Sequence, residues 1–144
     1  MGKFDFNIPD DFIKQLGRLA DVDRIAPQMI DEAMPILEKN LKKELSKHRR
    51  TSTMLDSVKK TKAGKNKYGY YATVRPTGMS KIYKDNRGVI RQRKEPVRNM
   101  EILAHLEYGT SNQEAKPVLT KAIKDSENAV LNKMQEVFDR EVGR

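Results

Sequence analysis

Cysteine, histidine and paired carboxylates are the side chains through which a small domain most readily does chemistry, and this sequence holds few of them. It has no cysteine, which excludes disulfides, thiolate metal sites and thiol nucleophiles together. Its two histidines, His48 and His105, stand 57 positions apart. Glu101 and His105 are one helical step apart and could share a face, but no further ligand follows at the short spacing a metal needs. Asp10-Asp11 and Asp31-Glu32 fall where helices are expected to begin, and there a carboxylate caps backbone N–H groups rather than relaying protons. The glycines are scattered, and Gly64-Lys65-Asn66, the nearest approach to a phosphate loop, lacks the upstream glycine and the hydroxyl. No serine has nucleophile-elbow spacing. These absences point to a chain that is not an enzyme and uses no cofactor or metal.

What the sequence does concentrate is positive charge. Thirteen basic residues lie between Lys59 and Arg98 against Asp85 and Glu95 alone, a local +11 in a chain of net charge +9. The remaining residues sum to −2, so one segment carries the whole excess. Lys81, Lys84, Arg87, Arg91, Arg93 and Lys94 are its densest part and the candidate contacts with a partner or with DNA. Tyr68, Tyr70, Tyr71 and Tyr83 are interleaved with the cations, a mixture that suits phosphate neutralisation and base stacking. The same charges suit an acidic protein surface equally well, or simply a solvated hairpin over core-facing Tyr68 and Tyr70. No base-reading motif accompanies them, so sequence-specific DNA binding is not indicated.

The elements that must position these residues follow from periodicity. At 144 residues, 34% of them charged, the chain is long enough for one domain, spanning 1–144, with a modest core. Phe4, Phe6 and Ile8 alternate as a short extended start. Asp10 or Asp11 then caps a helix to Arg18 carrying Phe12, Leu16 and Leu19, and Asp21–Arg24 is a polar joint. Pro27 suits the first turn of a second helix, in which Ile30, Met34, Leu37, Leu41 and Leu45 share a face. Pro35 should kink or divide it, and Lys42 to Arg50 load its C-terminal end, where cations oppose the macrodipole. Thr51–Val58 supplies one turn with Met54, Leu55 and Val58, Ala63–Lys67 is a mobile loop, and Tyr68–Arg75 alternates as a strand. Lys81–Tyr83 and Val89–Arg91 flank a hairpin tip at Asp85–Gly88; the hairpin is too polar to bury itself and should project. Asn99 caps a helix with Ile102, Leu103 and Leu106, Gly109 breaks it, and Pro117 opens a last helix to about Val142. The sum is an α+β fold: N-terminal helices and a long C-terminal helix packed on a small antiparallel sheet, with a basic loop and hairpin arm at about 59–98. No stretch approaches the roughly 18 apolar residues of a membrane span, and Met1–Asp10 lacks a signal-peptide pattern, so no membrane partner and an intracellular location are expected.

Two blocks of residues resemble a known family. Ala104-His105-Leu106-Glu107-Tyr108-Gly109-Thr110-Ser111, followed by Ala115-Lys116-Pro117-Val118-Leu119 and Ala122, is similar to the signature of small neck or tail-component proteins of long-tailed bacteriophages. There an apolar-Glu-aromatic-Gly-Thr motif precedes a short loop and a proline that opens the C-terminal helix. Thr51 or Ser52 to Val58, with Leu55 and Ser57, resembles a second unit of that family, although Met54 and Val118 depart from its usual residues. The resemblance implies a virion structural protein at the head–tail junction, in neck or tail completion, assembled in the bacterial host cytoplasm as a homo-oligomeric ring that docks on other connector and tail proteins. It implies motif roles for Glu107, Tyr108, Gly109, Thr110, Pro117 and Leu119. Physically, Glu107 would accept N–H groups of the loop after Gly109, Gly109 would take a positive φ, and Thr110 would satisfy a local carbonyl or cap the turn. A DNA-backbone-binding accessory protein, with non-specific contact to genomic DNA, is the alternative.

Overall fold

Ile25, Met29, Ile30, Ala33, Met34, Leu37, Leu41 and Leu45 recur at three- and four-residue steps, and every one of them is buried. In the computed structural model, which describes residues 9–10, 13, 22–48, 52–85 and 87–142, they form the inner face of helix α1, Val22–Ser46. The expected first helix to Arg18 lies outside the described residues, apart from Pro9, Asp10 and Ile13. Helix α1 is unbroken, so neither the joint at Asp21–Arg24 nor the division at Pro35 occurs within what is described, and Pro27 is interior rather than first-turn. Each proline forgoes one bond, to the carbonyls of Asp23 and Asp31. Pro35 itself is exposed, so its ring sits on the wet side of the helix while the apolar stripe runs past it without interruption.

That stripe packs against the last helix. After α2 (Ser52–Ser57) and α3 (Asn99–Tyr108), α4 runs from Val118 to Val142 and buries Val118, Ala122, Ser126, Val130, Met134, Val137 and Phe138. Helices α1 and α4 are antiparallel. Arg24 pairs with Glu141, Arg140 and Lys133 with Glu32, Asn40 with Ser126, and Lys121 with Glu44. Asp31 and Glu32 therefore lie in mid-helix and do not cap a helix start. Asp31 accepts the Ala63 N–H at 2.8 Å, and Arg140 holds Glu32 below the usual carboxylate range despite its burial cost.

Between these helices the chain makes two hairpins. In the first, β1 (Val58–Lys60) pairs with β4 (Val74–Pro76), and β2 (Gly64–Asn66) with β3 (Gly69–Tyr71), both antiparallel. Val58 opposes Pro76 and Gly64 opposes Tyr71, so the second ladder continues the first after a one-residue slip. The segment Ala63–Lys67 is thus largely strand rather than loop. Ladder bonds, the Asp31 contact to Ala63, and the contacts of Lys65 and the Tyr70 hydroxyl with Asp23 hold it where side-chain apolarity alone would not. The strand expected across Tyr68–Arg75 is correspondingly two short pieces, broken at Ala72-Thr73. Tyr70, Ala72 and Val74 face inward as the alternation requires, but Tyr68 sits at the tip, 84% exposed, and is not core-facing.

The second hairpin is the expected arm. Strands β5 (Met79–Lys84) and β6 (Ile90–Arg98) pair antiparallel, with Lys84 opposite Ile90 and Met79 opposite Arg98. A bulge between Ser80 and Ile82 absorbs three extra residues on β6, beside Pro96, which has no N–H for the ladder. Met79, Ile82, Val89 and Ile90 are all about half or more exposed, as a projecting ribbon requires. Its root is fixed by Asn99. This residue does not cap α3; its Nδ2 donates to the Thr77 carbonyl at 2.7 Å and its N–H to Gly78, a buried latch between arm and helix.

Candidate functional site

Glu107, Gly109, Thr110 and Pro117 converge at the corner between α3 and α4. Helix α3 ends where the Gly109 N–H donates to His105, and Gly109 then takes φ 75° and ψ 177°, a conformation essentially confined to glycine. A Cβ there would lie 2.8 Å from the Ala115 nitrogen and 2.9 Å from the Gln113 carbonyl. The loop is tied to itself and to α3: Thr110 N–H donates to Gln113, Asn112 N–H to the Thr110 hydroxyl, and Lys116 N–H to Leu106 at 2.7 Å. Thr110 caps the turn as expected.

Glu107 acts one step further along the chain. Its buried carboxylate accepts the N–H groups of Leu119 at 2.7 Å and Thr120 at 3.1 Å, and the Thr120 hydroxyl. These are not loop donors but the orphan N–H groups of the first turn of α4. Pro117 precedes that turn and its carbonyl accepts from Lys121, yet its ring offers no capping oxygen. Glu107 supplies one from the preceding helix, where a negative charge also suits the macrodipole. Leu119 packs half-buried against the core, whereas the Tyr108 side chain is exposed.

The six arm cations are not equivalent. Asp85 accepts the N–H groups of Arg87 and Val89 and pairs with Arg91 Nε at 2.6 Å, so Arg91 closes the tip. That contact, followed by the Val89 N–H, keeps the Asp85 carboxyl below its ordinary range. Arg93 lies over the Tyr83 ring at 4.8 Å and donates to the Ile82 carbonyl, so it braces the ribbon. Lys81, Lys84, Arg87 and Lys94 have no ion-pair partner among the described residues. Arg87 is presented at the tip and Lys81 and Lys94 on the strands, all exposed.

Arm and corner face each other across a cleft of about 410 Å³. Ile82 and Val97 of the arm, Leu55 of α2, and Ile102 and Leu106 of α3 give it apolar walls. Lys84 and Arg93 reach it from the arm and Lys116 from the loop, while Lys81, Arg87, Arg91 and Lys94 do not. Both histidines line it too, although they are remote in sequence, with Glu101 as the acidic member. Asn99 lies at its base, its Oδ1 buried without a hydrogen-bond partner. Sequence reasoning missed this cleft: its lining comes from α1, α2, β5, β6, α3 and the loop after it, and no local spacing marks it. Among the described residues no group of three or more metal-ligating side chains is present, and no helix is long and apolar enough to cross a membrane. No family model matches the chain, and neither a curated protein nor a solved structure similar to it was found.

Proposed function

We propose that this chain is a structural subunit of a ring at the head–tail junction of a long-tailed bacteriophage, acting in neck or tail completion. The observation that carries the reading is the corner: the residues on which the resemblance rests serve one architectural purpose. Gly109 turns the chain and Glu107 caps α4, which fixes the angle between the α1–α4 body and the hairpin arm rooted beside α3. A rigid body bearing a projecting cationic ribbon is suited to clasping a neighbouring ring. Repeated around an axis, its charge needs acidic neighbours or phosphates to offset it.

The test is charge reversal at the four arm cations that have no ion-pair partner among the described residues, Lys81, Lys84, Arg87 and Lys94 to Glu. Arg91 and Arg93 are spared because they hold the hairpin together. The folded domain should be retained, and heads and tails should accumulate unjoined. Joined, infectious particles carrying all four substitutions would remove the arm's role. The DNA-binding alternative predicts instead that the isolated subunit binds duplex DNA with an affinity falling steeply with salt, and that the same four substitutions flatten that slope.

A further inference from the structure

The outer face of the first hairpin carries a charge arrangement that works against its own pairing. Between Ser57 and Lys84 the sequence has no acidic residue. In the β1–β4 ladder Lys59 stands directly opposite Arg75, and both are exposed. Like charges directly opposite each other destabilise a ladder, and neither residue has an ion-pair partner among the described residues. Buried Ala72 and Val74 set the parity of the returning strand, so Tyr71, Thr73 and Arg75 share the outer face. Thr61 completes it, its hydroxyl 3.4 Å from that of Thr73.

Tyr71 ends this row. Its ring lies across Gly64, where a Cβ would come within 3.3 Å of it, so the glycine lets the ring rest on the ribbon. The residue is 46% exposed, which leaves the other side of the ring to solvent. The neighbouring tyrosines are engaged already: Asp23 holds the Tyr70 hydroxyl, and Lys67 lies over the Tyr68 ring at 4.7 Å. From Tyr71 to Arg75 is about 13 Å along the strand. We infer that this face binds single-stranded nucleic acid, a base stacking on Tyr71 and phosphates of the same strand meeting Lys59 and Arg75. A duplex keeps its base faces within its own stack, and an acidic protein surface has no use for the ring. An open strand engages ring and cations together. Its phosphates supply the negative charge that the Lys59–Arg75 pair lacks within the chain. The inference goes beyond the ring reading, does not rest on it, and uses none of the arm cations.

Fluorescence anisotropy with a labelled twelve-nucleotide oligodeoxythymidine, on the full-length protein, tests it. The parent should bind this strand about tenfold or more tighter than a twelve-base-pair duplex at the same salt. Tyr71→Ala and Tyr71→Leu should each weaken binding by about 5- to 150-fold, the range for one lost base stack, while Tyr71→Phe should bind like the parent. Lys59→Ala with Arg75→Ala should lower the slope of log affinity against log salt by about 1.4, for two phosphate contacts at about 0.7 each. Changing Lys81, Lys84, Arg87 and Lys94 to Gln should keep the preference for the open strand. Equal affinity for strand and duplex would overturn the inference, as would a Tyr71→Ala variant that binds like the parent. Polyglutamate of matched charge, binding as tightly as the oligonucleotide, would also overturn it and assign the face to an acidic protein.

Discussion

Replacing Glu107 by Ala should be among the costliest single substitutions outside the apolar core. The carboxylate accepts two backbone N–H groups and one hydroxyl at the start of α4, and the residue is buried. Loss of a capping acceptor costs about 0.5–2 kcal/mol, and leaving buried donors unpaired adds about 1–3 kcal/mol for each site affected. Because these effects overlap, about 2–4 kcal/mol is expected. In urea, where unfolding free energy falls by about 1–3 kcal/mol per molar for small proteins, the midpoint should drop by about 1–2 M with the slope unchanged. Glu107→Gln keeps one acceptor oxygen but loses the charge that faces the helix N-terminus, and should lie between Ala and the parent. A midpoint for the Ala variant within 0.25 M of the parent, roughly 0.5 kcal/mol by the same slope, would show that Glu107 does not hold α4.

Gly109→Val should lose about 1–3 kcal/mol from backbone strain alone and more from the contact its Cβ makes with Ala115, while Thr110→Ala should lose less; comparable melting temperatures for the two would refute the corner. The Glu44 carboxyl is held below its ordinary range first by Lys47, then by attraction to Lys121, against the cost of burial. A depressed folded value means the pair stabilises the fold above the unfolded carboxylate range and is lost as pH falls through it, so melting temperature should decline on acidification below about pH 4.5, less so in Glu44→Gln. Arg91→Glu should loosen the arm, read as faster amide exchange at Arg87–Ile90, whereas Arg87→Glu should leave exchange there unchanged. In the parent protein, exchange should be slowest in Ile30–Leu45 and Leu119–Phe138 and faster across the arm at 79–94, most of whose residues are exposed.

The helical frame was legible because its signal is local. Burial at every predicted position from Ile30 to Leu45, and a C-terminal helix ending at Val142, follow from spacing alone. The arm was legible for the same reason, since Asp85 to Gly88 carries its own turn chemistry. What sequence misread is what depends on distant partners. Pro35 looks like a break until the uninterrupted stripe against α4 is seen. Asn99 has the right residue type for a cap, but a carbonyl 22 positions upstream claims its side chain. Gly64–Asn66 lacks strand residues and is paired nonetheless, because its opposite strand and Asp31 hold it. Of the candidate site, Gly109 was read correctly and Glu107 was assigned to the nearer loop instead of the helix beyond it. Arg91 and Arg93 look like free cations in sequence, since nothing local shows that Asp85 and Tyr83 engage them.

The proposed place of this subunit, in a ring between phage head and tail, can be imaged directly. Electron cryomicroscopy of intact particles produced with a compact tag inserted after Val142 tests it most directly. Additional density repeated around the axis at the head–tail junction is expected, with the arm ordered against the adjoining ring. Particles without the added density, together with monomeric subunit recovered on duplex DNA, would contradict it.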